Sequence, residues 1–254
     1  MHFDNFDDEL WDEFKWEAHL NEVERKSEQL RKFIASDPKG NVPRWITLLN
    51  ESLSEDDAYE AFIEEELLMD EAYFPEEEDW DDDDEDWDED DFLFRDIEDL
   101  GGEEEEDDFD EGEEWKSLTN EFVDSEYAAL ENLPIYNNAK DLAVDILRWA
   151  ELIPEKFQDS GFQDFVGDTL KIGAKIAGGF SFGYEHDYIG ANIAYSKKAL
   201  QIANRSLEKL QSLKRKKFFD REVYQDFHSR LFELRNDIGV HVQELRERFN
   251  LGLD

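Results

Sequence analysis

The chain contains no cysteine, only five prolines in 254 residues, and no run approaching the ~18 apolar residues of a membrane-spanning helix. Without cysteine there is no disulfide, no thiolate nucleophile and no zinc site of the cysteine-containing kinds. The absence fits a reducing cytoplasm. The opening residues, MHFDNFDDELWDEF, lack the basic and then apolar regions of a secretory signal. A soluble, cytoplasmic protein is expected.

Basic residues are scarce, and unevenly so. Residues 1–128 carry 9 Lys or Arg against 51 Asp or Glu, whereas residues 129–254 carry 18 against 19. Adaptation to high salt would spread carboxylates over every surface, so acidity confined to one half excludes that explanation. A field of this sign repels nucleic-acid backbones and anionic membranes and attracts basic proteins or divalent cations.

Catalytic and cofactor motifs are missing as well. No Gly-x-Ser-x-Gly elbow supports nucleophilic catalysis, and the glycines at 161, 167, 173, 178, 179 and 183 do not form a strand-to-helix phosphate loop. Placing Gly112 at the sixth position of a calcium loop puts Phe109 where a ligand belongs and Leu118 where the bidentate Glu belongs. Glu185-His186-Asp187 is the one tight cluster of acid-base residue types, but contiguous residues diverge in direction, and Asp187 suits a helix cap. His228 and His241 stand alone in a helical stretch. No enzyme, metal or cofactor site is expected.

What is present is helical. Trp16, Leu20, Val23, Leu30 and Phe33/Ile34 recur at steps of three, four and seven over Asp8 to Ala35, with acids at the start and Arg25, Lys26, Arg31 and Lys32 toward the end. SDPKGNVP stops that helix. Trp45, Leu48 and Leu49 predict a short helix from Pro43 to Leu53. Ser54 with Asp57 resembles a capping box that opens a third helix through Tyr59, Phe62, Ile63 and Leu67. These three apolar stripes must be buried, in a small unit of their own, on the second half, or on a partner.

Residues 76–114 hold 27 Asp or Glu among 39, with Arg95 the one basic residue. Such a run cannot collapse on itself at neutral pH and is expected to be disordered. Trp80, Trp87, Phe92, Phe94, Phe109 and Trp115 interrupt it irregularly. Aromatics scattered through carboxylates suit a binding arm for a basic-rimmed groove; a solvated spacer is the alternative.

Beyond a lead-in helix over Leu118 to Leu133, apolar periodicity predicts four helices. They cover Ala139 to Ile153, Phe162 to Ala177 (stopped by Gly178–Gly179), Asp187 to Leu213, and Asp220 to Phe249. No period-2 stretch suggests a sheet. The expected fold is all-α, an antiparallel up-and-down four-helix bundle over 117–254, with amphipathic helices over 1–74 and a disordered acidic segment over 75–116.

The order AKDLAVDILRWAELIP, LKIGAKIAGG, IGANIAYSKKALQIANRSLEKLQ and a long final helix resembles the four-helix-bundle family encoded in 23S ribosomal RNA intervening sequences. The accessory variability proteins of diversity-generating retroelements belong to the same broad group. The similarity covers about Pro134 to Asn250. Where that family shows Asn-Ile-Ala-Glu-Gly, this chain has Lys175-Ile176-Ala177-Gly178-Gly179, so any role of the family's Asn and Glu does not carry over. The resemblance implies a bundle that often assembles into a ring, commonly a pentamer, some members offering a basic surface to nucleic acid or a polymerase.

One basic patch stands out: Lys214, Arg215, Lys216 and Lys217, with Arg221 beyond the turn. Four consecutive cations exceed what a helix C-terminus needs. The expected function is therefore a non-enzymatic interaction protein, whose acidic aromatic arm binds a basic partner or masks the bundle's own basic edge. The alternative is a nucleic-acid-associated bundle using Lys214 to Arg221.

Overall fold

The computed structural model describes residues 11–34, 42–71, 130–186 and 188–252. The acidic run, with Trp80, Trp87, Phe92, Phe94 and Phe109, lies outside the described residues, as do most of the expected lead-in helix and Asp187.

Seven α-helices account for the described chain, with no strand among the described residues. They are α1 (Glu13–Ile34), α2 (Arg44–Glu51), α3 (Glu55–Glu71), α4 (Pro134–Glu151), α5 (Ser160–Ser181), α6 (Ile189–Leu213) and α7 (Arg221–Leu251). A single 3-10 turn, Glu155–Phe157, joins α4 to α5. No described helix is long and apolar enough to cross a membrane.

The helix starts follow local chemistry. Ser54 Oγ accepts from the Asp57 amide at 3.2 Å and donates to Asp57 Oδ2 at 2.8 Å, which opens α3 as the capping pair predicts. Asp159 caps α5 through the Phe162 amide, and Asp220 caps α7 through the Glu222 amide. Pro134, expected to end a preceding helix, instead occupies the first turn of α4, where its missing N–H costs nothing. That helix starts five residues earlier than apolar periodicity alone places it.

Helices α4 to α7 form the expected bundle. Each packs on its neighbours in sequence and α7 closes on α4, an up-and-down arrangement. The α4–α5 and α6–α7 connections consequently share one end. Phe157 and Phe218 from these two loops lie 5.8 Å apart. At the other end Ile189, Ile193, Val242 and Leu245 form a small cluster beside Tyr184 and Phe249.

Helix α5 corrects one expectation. It runs through Gly178–Gly179 to Ser181 rather than stopping at the pair. A Cβ on Gly178 would sit 2.8 Å from the Tyr195 ring, and one on Gly179 would sit 3.0 Å from Asn192 Oδ1. The pair therefore lets α6 approach α5 closely. The chain turns only at Gly183, at φ +74°.

The N-terminal helices dock on the bundle, and the described parts of 1–74 and 126–254 make one compact unit. Helix α3 lies across α4 and α5, α2 rests on α3, and α1 lies along α6. Trp45, Leu48, Tyr59, Phe62 and Ile63 join the main core, each at most 5 % exposed. Tyr59 reaches so far that a Cβ on Gly173 would come 1.8 Å from its hydroxyl. Helix α1 has its own small cluster, Leu20 with Ala194 and Tyr195, flanked by Trp16 and Phe182.

Candidate interaction surface

The five cations expected to form a partner site lie at the bundle end shared by the α4–α5 and α6–α7 connections. Helix α6 ends at Leu213, and the chain turns through Lys214–Phe219 with the Lys216 amide donating to Leu213 O at 2.8 Å. Lys214, Arg215, Lys216, Lys217 and Arg221 are all exposed. Two are engaged: Lys214 Nζ stands 4.7 Å from the centre of the Tyr224 ring, and Lys216 Nζ meets Asp159 Oδ2 at 2.5 Å. The Lys216 ammonium, with the capped Phe162 amide, lowers the Asp159 carboxyl below its ordinary range. Arg215, Lys217 and Arg221 make no ion pair among the described residues.

Below these charges lies an aromatic cluster. The Trp149 ring is 4.5 Å from Phe219 and 5.5 Å from both Phe162 and Phe227. This packing holds the basic turn to a rigid floor rather than leaving it a free loop. Beside it the α4–α5 connection exposes Leu152 (77 %) and Phe157 (36 %), with Lys156 Nζ 4.9 Å from the Phe157 ring centre. Cations thus border an apolar patch. Leu152, Lys156 and Phe157 were missed in the sequence, although up-and-down connectivity alone requires the two loops to meet.

A second polar feature was also missed. Lys175 Nζ pairs with Asp70 Oδ2 at 2.5 Å, both side chains under 10 % exposed, and the Tyr195 hydroxyl donates to the same oxygen at 3.3 Å. Burial, followed by the Asp70 charge, pushes the Tyr195 hydroxyl far above its ordinary range, so it stays a donor. Lys175 stands where the resembled family has Asn, and here it anchors α3.

Carboxylates of α1 treat α6 and α7 similarly. Glu13 grips the Arg246 guanidinium at 2.7 and 2.8 Å, Glu17 meets Lys197 at 2.6 Å, and Glu24 meets Lys198 at 2.8 Å. The hydrogen bond from Arg246, outweighing the opposing effect of burial, holds Glu13 below the usual carboxylate range.

The isolated histidines have structural neighbours. His186 stacks on Phe249 at 5.2 Å, and His228 lies parallel to Phe232 at 6.4 Å. Half-buried His241 has its basicity lowered by burial. Tyr188 begins α6 without a side-chain cap. No group of three or more His, Asp or Glu among the described residues is placed to hold a metal ion.

No protein-family model, curated protein or solved structure matches this chain.

Proposed function

We propose that this is a non-enzymatic interaction protein whose bundle end, at Lys214–Arg221, receives an acidic segment bearing aromatic anchors. The observation that carries this reading is the junction of Arg215, Lys217 and Arg221, without carboxylate partners among the described residues, with exposed Leu152 and Phe157. A polyanion alone would need only the charges. Carboxylates with interspersed aromatics match both halves of the surface, and residues 76–114 of the same chain have that composition. Being tethered, that segment competes for the site at high effective concentration. Docking between exposed charges weakens steeply with salt.

The test removes residues 76–114 and leaves α1–α3 in place, because deleting the whole first half would strip Trp45, Tyr59 and Ile63 from the core. A peptide of residues 76–114 added to the shortened chain should shift the NMR signals of Arg215, Lys217 and Arg221 at low salt. Alanine at Lys214, Arg215, Lys216 and Lys217 should abolish the shifts. Unchanged shifts in that variant overturn the reading. Tight binding of generic RNA or DNA by the shortened chain, with no response to the peptide, would favour the nucleic-acid-associated bundle. Self-assembly into a ring, implied by the resemblance over 134–250, is part of the same proposal; a monomeric mass by light scattering counts against it.

A further inference from the structure

Helices α6 and α7 leave an open groove of about 690 Å³ between them, reached past the cations that hold α1. Lys197 and Arg246 form one end and are neutralised by Glu13 and Glu17 of α1. Leu200, Arg235, Gly239 and Val240 line the remainder. The chain thus displays on this surface one way of seating an acidic amphipathic helix. Carboxylates four residues apart take the cations, and Trp16 and Leu20 take the apolar ground at Ala194 and Tyr195.

Arg235 is unlike its neighbours on α7. Arg230 holds Asp145 at 2.7 Å and Arg246 holds Glu13, but Arg235 donates only to amide oxygens. Its Nε–H reaches Asn204 Oδ1 and its Nη1 reaches Asn236 Oδ1, both at 2.9 Å. Asn204 is itself oriented, since its Nδ2 donates to Leu200 O at 3.0 Å. The guanidinium is half-buried and held in place, with donors to spare and no carboxylate among the described residues. Beside it Val240 is 57 % exposed, and a Cβ on Gly239 would meet nothing within 4 Å. The pairing of a fixed, uncompensated fork with open apolar ground continues the chemistry that α1 already uses.

We infer that the groove is a docking site for an acidic amphipathic helix of a partner protein. The helix lies along α6 and α7 beyond the α1 seat, with a carboxylate on the Arg235 fork and an apolar residue on Gly239 and Val240. The chain's own acidic run does not fit this role, because its aromatics fall at irregular intervals and form no helical stripe. The site involves none of the residues at the Lys214–Arg221 turn, and its failure leaves that reading untouched.

The test titrates the isotope-labelled full chain at low salt with a terminally blocked peptide copying residues 13–27, the acidic amphipathic helix at hand. Saturable shifts should appear at the Gly239 and Val240 amides and the Arg235 Nε–H. Arg235→Gln should weaken affinity at least tenfold, as should Gln in place of the peptide residues copying Glu13 and Glu17. Thermal unfolding of R235Q at the wild-type temperature excludes loss of fold as the cause. Shifts confined to Gly190, Ala194 and Tyr195 would mean exchange with α1 and overturn the inference. So would shifts confined to Lys214–Arg221, equal affinity in R235Q, or no shift at millimolar peptide.

Discussion

Replacing Lys175 with methionine should loosen the C-terminal end of α3 from the bundle. The substitution keeps most of the side-chain volume and removes only the ammonium, leaving the Asp70 carboxylate buried at the α3–α5–α6 junction with 7 % of its side chain exposed. Breaking a buried pair from one side costs about 3–5 kcal/mol. The Tyr195 hydroxyl remains 3.3 Å from Asp70 and offsets part of this, since a hydrogen bond to a charged group contributes about 1.5–3 kcal/mol. The loss should therefore fall near the lower edge, about 3 kcal/mol. With a urea dependence of about 3 kcal/mol per molar, that lowers the unfolding midpoint by about 1 M, followed by tryptophan fluorescence and circular dichroism. Asp70→Asn combined with Lys175→Met removes both charges and should restore most of the stability, because replacing a buried ion pair as a unit is often neutral. A K175M midpoint within about 0.2 M of wild type would show that the pair is solvated and α3 is not seated as described. A double variant as unstable as the single one would refute the argument that an orphaned charge causes the loss.

Tyr59→Phe should stabilise the fold by about 1 kcal/mol, because the Tyr59 hydroxyl is buried with no hydrogen-bond partner and such groups cost about 1–3 kcal/mol. Gly173→Ala should destabilise by about 1–3 kcal/mol through overpacking against that hydroxyl, and the loss should shrink in the Y59F background, where the nearest ring carbon is 3.0 Å away; strictly additive effects in thermal unfolding would contradict the contact. Ser54→Ala should cost about 1 kcal/mol by removing the α3 cap, read from the same unfolding curves. For Glu13 the folded pKa lies below the unfolded one, so its stabilisation is present above the ordinary carboxylate range and fades as pH falls through the lowered value. The stability gap between wild type and Glu13→Gln should accordingly be constant near neutral pH and close on acidification below about pH 4; a gap that widens there refutes the ion-pair assignment.

The bundle was legible because each helix carries its stripe at three- and four-residue steps and is punctuated by Pro43, Ser54, Pro154 and Asp220. The Gly178–Gly179 pair was misjudged for a physical reason. Two adjacent glycines suit either a helix end or a helix contact, and only what faces them decides. Tyr195 and Asn192 on α6 face them, and nothing in the local sequence says so. Docking of α1–α3 was equally beyond a local reading: an amphipathic stripe states that a face must be covered, not by what. Tyr59 against Gly173 joins positions more than a hundred residues apart.

The charge division of the sequence acquires a structural meaning from this docking. Six cations of the nearly neutral second half, Lys140, Arg148, Lys175, Lys197, Lys198 and Arg246, each lie within ion-pair distance of a carboxylate on α1 or α3. Part of the N-terminal acidity is thus counter-charge to the bundle, not excess. Once those pairs are set aside, Arg215, Lys217 and Arg221 at one end and Arg235 in the α6–α7 groove stand without carboxylates among the described residues. In a chain with 70 Asp or Glu, cations left unpaired on a rigid scaffold are the scarce resource. Both borders of apolar ground where they occur, Leu152 with Phe157 and Gly239 with Val240, favour ligands that combine carboxylates with hydrophobic side chains over simple polyanions.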